Sequence, residues 1–457
     1  MERTVTFIVL AGGRASRMKT NTPKSMHAVA GKPMLGCILD MASAITTNSV
    51  KGGVPDVRSV VVMDPNAQPV IDYVQRDYPE AAVVYQKEPR GTGEAIACAL
   101  PVLADQITDD VLIVFGDTPL IREQAIMSLI EARDKGAHVA VLGFDPEEPS
   151  AYGRLVTDGS GQLVRIVEAR DANKEEQAIT LCNGGAMAVS GEHLASLIKR
   201  LSNDNAQGEY YLTEIVSLAH QDGLSCRVVE AHEEDALGVN DRAGLAKVEA
   251  IMQNRLRARA LAAGVTLEAP ESVKLCCDTV LEADVIIEPH VVFGPGVRVG
   301  AGVHIRSFSH IEGAVIEAGA QIGPFARVRP GSHVASGAKL GNFVEVKNAQ
   351  IETGAKISHL SYVGDARVGA NANIGAGVIT CNYDGVNKHH TDIGEGAFIG
   401  SNSALVAPVS IGKDAYIASG STITNNVDED DLAIARTRQS NKKGLAGRYK
   451  KTPESKK

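Results

Sequence analysis

The chain has 457 residues, 44% of them hydrophobic, which allows about three domains, each with a sizeable core. A formal net charge of −9 argues against a nucleic-acid-binding body, and no stretch is apolar over a length that would span a bilayer, so neither nucleic acid nor membrane insertion is expected. The opening MERTVTFIVLAGG has no long apolar leader-like run, and seven cysteines without CxxC spacing read as reduced thiols of a cytoplasmic protein, the vicinal Cys276–Cys277 included.

From the N-terminus, short β-branched runs alternate with helical stretches. Strands are expected over residues 4–10, 59–63, 82–85, 111–115 and 138–143, and helices over 33–45, 94–103 and 124–135. That alternation implies a mostly parallel, Rossmann-like α/β sheet with ligands at the carboxyl ends of its strands. In VLAGGRASRM (9–18), Gly12 and Gly13 directly follow the first strand, so their N–H groups can line a concavity for phosphate oxygens, helped by Arg14 and Arg17. Lys24, in TPK, adds a mobile positive charge. A glycine pair after a strand is by itself an ordinary βα turn, but two further segments point the same way. QKEPRGTGEA (86–95) joins a strand to a helix through a GTG loop that suits a base or phosphate. FGDTPL (115–120) sets Asp117 just past a buried strand, where a carboxylate can hold Mg²⁺ near phosphates; standing alone it would serve equally as a turn acid or helix N-cap.

Residues 241–263 form one strongly helical segment, taken as the connector between domains. Beyond it an aliphatic residue returns every sixth position. Ile287, Phe293, Val299, Ile305 and Ile311 make one register; Ile316, Ile322, Val328, Val334, Leu340 and Val346 follow after a slip of one residue. Ile351, Ile357 and Val363, then Val368 and Ile374, continue it, and Ile393, Ile399, Leu405, Ile411, Ile417 and Ile423 close it. Neither a helix nor a lone strand repeats at six, whereas a parallel β-helix of hexapeptides does, one inward aliphatic residue per flat side. The tail after Arg436, rich in Lys and Arg, reads as a solvated segment.

Two sets of reactive residues interrupt the background of Gly, Ala and Val in this prism. Arg329 in RVRPG and Lys347 in EVKNA lie three hexads apart; if one coil takes three hexads they stack into a phosphate site. The second set is KISHLSYVGD (356–365) with the insertion TCNYDGVNKHHT (380–391), and the period is expected to break only between Ile374 and Ile393. A lone His on such a face is usually a surface residue, but His359 keeps company with Tyr362, Asn373 and a loop bearing Asn382, Tyr383 and Lys388. His389 and His390 read as exposed loop residues.

LAGG with RASRM, TPKSM, the GTG loop and FGD resemble the sugar-1-phosphate nucleotidyltransferases, and with the hexapeptide prism residues 4–440 resemble the bifunctional bacterial N-acetylglucosamine-1-phosphate uridylyltransferase/glucosamine-1-phosphate acetyltransferase family. That resemblance implies a uridylyltransferase domain (1–240), a helical linker (241–263), a left-handed parallel β-helix acetyltransferase domain (264–440) and a basic tail (441–457). It implies glucosamine-1-phosphate, N-acetylglucosamine-1-phosphate, UTP and acetyl-CoA as substrates, Mg²⁺ as cofactor, and a homotrimer with acetyl sites shared between subunits. By the same resemblance Leu10, Ala11, Gly12, Gly13, Arg17, Lys24, Gln86, Gly91 and Thr92 hold the nucleotide. Gly153 (AYGRL), Glu168 (RIVEARD) and Asn183 (CNGGAM) grip the sugar, and Asp117 and Asn240 (LGVNDR) take Mg²⁺. In the prism His359 is the general base, and a neutral imidazole near pH 7 suits the removal of a proton from an amine. Arg329, Lys347, Tyr362, Asn373 and Lys388 hold the sugar phosphate; Ala376, Asn382, Tyr383, Ser401, Ser419 and Arg436 meet acetyl-CoA. The chain departs from the family pattern at Ala15 and Ser16, where Gly and Thr are usual, at Phe115 for a commoner Tyr, and at Ser419 for a small apolar residue. Two other readings are a related sugar nucleotidyltransferase with an idle hexapeptide tail and a non-catalytic regulatory subunit. His359 with its neighbours speaks against the first, and the retained Lys24, Asp117 and Asn240 against the second.

Overall fold

The computed structural model describes residues 4–13, 16–49, 56–104, 109–149 and 152–449. The chain divides into two compact units, Met1–Arg255 and Leu256–Lys457, the division falling within the helix Arg242–Ala262. Among the described residues no helix is long and apolar enough to cross a membrane.

The first unit is built on a nine-stranded sheet. Thr4–Leu10 lies between Asp56–Met63 and Asp110–Phe115, parallel to both, and Ala82–Tyr85 continues the parallel side. Alternate residues of the central strands feed two cores: Val5, Phe7 and Val9 pack on one face, and Ile8 on the other. Leu112 and Val114 divide from Val111 and Ile113 in the same way, so the near-continuous apolar runs are those of a sheet covered by helices on both sides. The helices Met34–Ser49, Thr92–Ala104 and Glu123–Asp134 lie within a few residues of the expected ranges. The far side of the sheet departs from the parallel pattern. Cys182–Ser190 runs antiparallel to both Asp110–Phe115 and Val139–Phe144, and the hairpin Arg154–Thr157/Leu163–Val167 pairs on its edge. CNGGAMAVS carries two glycines and few β-branched residues, so its strand conformation comes from its two neighbours rather than from propensity.

The second unit is a parallel β-helix. Stacked strands from Thr266–Leu267 to Leu432–Ala433 form a ten-stranded sheet, and a fourteen-stranded sheet completes the prism. Ile287 pairs with Ile305, Ile305 with Ile322, Ile322 with Leu340 and Leu340 with Ile357, a fully buried aliphatic column. The prism therefore extends past both ends of the six-residue series. It also continues through the expected break. Thr380 takes the inward place six after Ile374, 1% exposed, its Oγ1 accepting from Gly364 N at 2.8 Å and donating to Gly364 O at 3.1 Å. A hydroxyl satisfied by the coil beneath can fill an aliphatic position at little penalty, so the true excursion is shorter, after Cys381 and before Thr391.

The one-residue slips mark where the corners tighten. Asn348 and Asp365 sit at two of them with φ of 45° and 49°, a left-handed conformation that Asn and Asp tolerate better than other side chains. Asn348 Nδ2 donates to Asp365 Oδ1 at 2.8 Å, joining the two corners.

Candidate active sites

In the first unit a cavity of about 300 Å³ opens at the carboxyl ends of the central parallel strands. Leu10, Ala11, Gly12 and Gly13 form one wall, and Gln86, Gly91 and Thr92 another. The two walls meet where Gln86 Oε1 lies 3.3 Å from the place a Cβ would occupy on Gly12, so a side chain there would press on the amide. Gln86 Nε2 donates to Gly91 O at 3.0 Å, and Leu212 N donates to Thr92 Oγ1 at 3.0 Å, fixing the GTG loop from both ends. Gly91 has φ of 111°, and a Cβ on it would fall 2.6 Å from Tyr210 O. Gly91→Ala is therefore expected to lower unfolding stability by about 1–3 kcal/mol, checked by thermal melting. Glu209 also lines this cavity, a carboxylate that sequence reasoning missed because no motif surrounds it.

Asp117 and Asn240 come together because Val239 N donates to Asp117 O at 2.9 Å, tying the FGD turn to LGVN. Lys24 Nζ bonds Asp117 Oδ2 and also donates to Asn240 Oδ1 at 2.7 Å, to which Arg17 Nη2 donates at 2.9 Å. Two side-chain oxygens from distant segments thus converge on a single cationic point. That donor set fits Mg²⁺, which needs one or two protein oxygens and takes the rest from phosphate and water. Arg14 and Ala15 lie outside the described residues. Phe115 lines the cleft and packs on Gly185, where a Cβ would approach its ring to 3.1 Å.

Gly153, Glu168 and Asn183 are neighbours across three strands. Arg154 pairs with both Val167 and Cys182, and Asn183 N donates to Gly153 O at 2.8 Å. Glu168 faces a separate cavity of about 330 Å³ that does not include Gly153 or Asn183. Burial pushes the Glu168 carboxyl up from its ordinary range against a hydrogen bond from Thr213 Oγ1 at 2.9 Å. Thr213 was not anticipated.

In the second unit the in-register stacking of Arg327 on Glu345 brings Arg329 and Lys347 to adjacent coils. Neither cation stands alone. Arg329 Nη1 bonds Glu345 Oε1 at 2.9 Å, and Lys347 Nζ bonds Asp365 Oδ2 at 3.1 Å. The hydrogen bond to Asp365 holds the Lys347 ammonium above its usual range, and Lys388 of the insertion reaches the same point. Burial alone would raise Asp365, but hydrogen bonds from Asn348 and Asn382 and the charge of Lys347 hold its carboxyl below the usual carboxylate range. A depressed folded pKa contributes stability above the unfolded value and loses it as pH falls through the folded one. The stability gap between wild type and Asp365→Asn is accordingly expected to be full above about pH 5 and to shrink as pH falls below about 4, read by urea unfolding across that range.

His359 Nδ1 lies 2.6 Å from Asn342 Oδ1, its register partner one coil below. In the tautomer that carries its proton on Nδ1, the ring donates to that amide oxygen and the lone pair is on Nε2. Tyr362 lays its hydroxyl over Gly364, 2.3 Å from where a Cβ would sit, so glycine at 364 makes room for it. The excursion is a small hairpin: Tyr383 bridges Lys388, Asp384 Oδ1 accepts from Val386 N and Asn387 N, and His389 Nε2 lies 2.7 Å from Asp384 Oδ2. His389 is thus a tie within the loop and His390 is exposed. Asn382 is buried and Tyr383 59% exposed at the hairpin root.

Of the residues expected to meet acetyl-CoA, Ala376, Ser401 and Ser419 climb from His359 along one corner. Gly377 N donates to His359 O, Asn402 N to Ala376 O and Gly420 N to Ser401 O, while Arg436 Nη1 bonds Ser419 O. The register that carries Lys356 to Asn373 and Asn373 to Phe398 carries His359 to Ala376 and Ala376 to Ser401. Asn342, Glu345, Asp365 and Thr380 were missed as partners in the sequence. The first three stand one coil from a named residue, a signal readable only once the coil length is known.

An α/β sheet with a glycine turn lining its cleft, followed by a hexapeptide prism with its own polar cluster, defines a two-headed transferase. Residues 7–214 match the MobA-like NTP transferase domain, and residues 278–313 and 390–425 match the bacterial transferase hexapeptide repeat. The chain is 50% identical over 449 residues to the bifunctional protein GlmU of Xanthobacter autotrophicus, covering 98% of each chain. It is 51% identical over 445 residues to that of Rhodospirillum rubrum, covering 97% of this chain and 96% of the relative. Against that of Brucella anthropi it is 50% identical over 449 residues. The chain belongs to the family of bifunctional GlmU proteins, transferases with a nucleotidyltransferase and an acyltransferase half.

Proposed function

We propose that the protein makes UDP-N-acetylglucosamine in two steps, acetyl transfer from acetyl-CoA to glucosamine-1-phosphate in the second unit and uridylyl transfer from UTP to N-acetylglucosamine-1-phosphate in the first. The observation that carries this reading is the co-occurrence in one chain of the Arg17–Lys24–Asp117–Asn240 node and, in the prism, of the His359 imidazole bonded to Asn342 and the cations Arg329 and Lys347 on adjacent coils.

In the acetyl step Arg329 and Lys347 exchange their carboxylate partners for the sugar phosphate and fix the amine near His359. The amine nitrogen attacks the thioester carbonyl, the C–N bond forms as C–S breaks, His359 Nε2 takes the amine proton and the coenzyme leaves as thiolate. Asn342 keeps the imidazole in the tautomer that can do so. Asn382 and Tyr383 shape the acetyl end, and the Ala376–Ser401–Ser419 corner with Arg436 carries the coenzyme. In the uridylyl step a phosphate oxygen of the acetylated sugar attacks the α-phosphorus of UTP and pyrophosphate leaves. Gly12, Gly13 and Lys24 hold the triphosphate, Gln86 and the GTG loop the base, and Glu168 and Asn183 the sugar. Asp117 and Asn240 would hold Mg²⁺, whose charge neutralises the reacting phosphates.

A homotrimer accords with one further surface. His290, Phe308, Phe325 and Phe343 stack at 4.9–5.0 Å between centroids along one corner, and Leu360 continues the line beside His359. The phenylalanines are about half exposed, an apolar stripe that association would cover and that would bring a second subunit to the acetyl site. The whole reading is tested by an assay of the purified protein with glucosamine-1-phosphate, acetyl-CoA, UTP and Mg²⁺, following free thiol and pyrophosphate with each cosubstrate left out in turn. Thiol release without UTP, and pyrophosphate release that needs acetyl-CoA, are expected. Pyrophosphate from another sugar phosphate with no thiol released would make the prism a scaffold.

A further inference from the structure

Lys24 sits on the oxygens that the proposed divalent ion would use. Its Nζ bonds Asp117 Oδ2 and stands 2.7 Å from Asn240 Oδ1. Mg²⁺ takes oxygen ligands at about 2.0–2.1 Å, so an ammonium hydrogen-bonded to both oxygens occupies the volume the ion needs, and two like charges do not share them. The lysine also has somewhere else to go. It leaves a short 3₁₀ turn, Lys24–Met26, and its stem runs past the glycine loop: a Cβ on Gly13 would lie 3.8 Å from Lys24 Cδ. Rotation about the last bonds of the side chain carries the ammonium from the two oxygens toward the N–H groups of Gly12 and Gly13, where phosphates would bind, with the main chain unmoved. Arg17 Nη2 also donates to Asn240 Oδ1, at 2.9 Å.

We propose that Lys24 is a placeholder cation. Before nucleotide arrives it holds Asp117 and Asn240 in their ligating arrangement and competes with a divalent ion for them, and it moves to the phosphates when nucleotide and metal enter together. The inference rests on the reading that Asp117 and Asn240 take the metal. It makes metal and triphosphate binding mutually assisting, because the phosphates draw the lysine off the metal's oxygens and the metal frees the lysine for the phosphates. It also gives Lys24 a positioning role separate from binding phosphate: a lysine serving phosphate alone would act on free metal only by charge repulsion, and its amine would be labelled at the same rate with or without Mn²⁺.

The test uses full-length protein and Mn²⁺ without nucleotide. Removing a competitor restores the fraction of sites able to bind, so Lys24→Met is expected to bind Mn²⁺ about tenfold more tightly than wild type. In the wild type, Mn²⁺ should raise the rate at which a small acylating reagent labels the Lys24 amine, read by mass spectrometry; this second measurement decides alone if Lys24→Met does not fold. Equal or weaker Mn²⁺ binding by a folded Lys24→Met, or labelling of wild-type Lys24 that is indifferent to Mn²⁺, overturns the placeholder. Asp117→Asn separates the two levels. If it binds Mn²⁺ as well as wild type, the metal assignment itself fails.

Discussion

His359→Ala is expected to lower acetyl transfer by roughly 10²–10⁴-fold, the range for a positioned general base, while uridylyl transfer from UTP to supplied N-acetylglucosamine-1-phosphate is unchanged. The residue is exposed, and its side chain bonds Asn342 at a prism corner, so its removal opens no core cavity and the melting temperature should hold. With the sugar phosphate on Arg329 and Lys347, as proposed, the loss should fall on kcat, with little change in the KM for glucosamine-1-phosphate. Asn342→Ala should produce a smaller loss of the same kind, since it frees the imidazole to turn without removing it. A comparable fall in both activities of a folded His359→Ala protein would sink the two-site reading. So would retention of acetyl transfer.

Asp117→Ala is the mirror experiment. It removes the only carboxylate of the node, leaving Lys24 and Arg17 around Asn240, and is expected to lower uridylyl transfer by about 10³-fold or more, equivalent to roughly 4 kcal/mol of transition-state stabilisation. The main chain at this turn should stay in place, because the Asp117 carbonyl still accepts from Val239 N. Acetyl transfer, measured as thiol release, should be unaffected. Recovery of activity at high Mg²⁺ would show that Asn240 and the phosphates alone can hold the metal, and would assign Asp117 to affinity rather than to the chemical step.

How much of this was legible beforehand depended on the kind of signal. The coil period was readable because an aliphatic side chain at every sixth position has no other economical use, and Ile305, Ile322 and Ile357 are fully buried in one column. Thr380 escaped because inwardness was read as aliphatic, whereas a hydroxyl bonded at 2.8 Å to Gly364 N serves as well. The glycine turn and Asp117 were readable because they stand at the ends of strongly apolar strands. The strand Cys182–Ser190 was not, since its pairing comes from residues 38 to 80 positions away, in Val139–Phe144 and Asp110–Phe115.

The sequence by itself determined the two folding periods and which chemically loaded side chains stand out from the background. These are local properties, set by the alternation of apolar and polar residues along a few turns or strands. Only the tertiary structure decided how those side chains are engaged: that Lys24 lies across Asp117 and Asn240, that Arg329 and Lys347 are already paired with Glu345 and Asp365, and that Asn342 orients His359. Each of these contacts joins residues at least sixteen positions apart, and one, Lys24 with Asn240, joins residues more than two hundred apart. Such pairing depends on coil length, corner geometry and loop anchoring, which no short stretch of chain encodes.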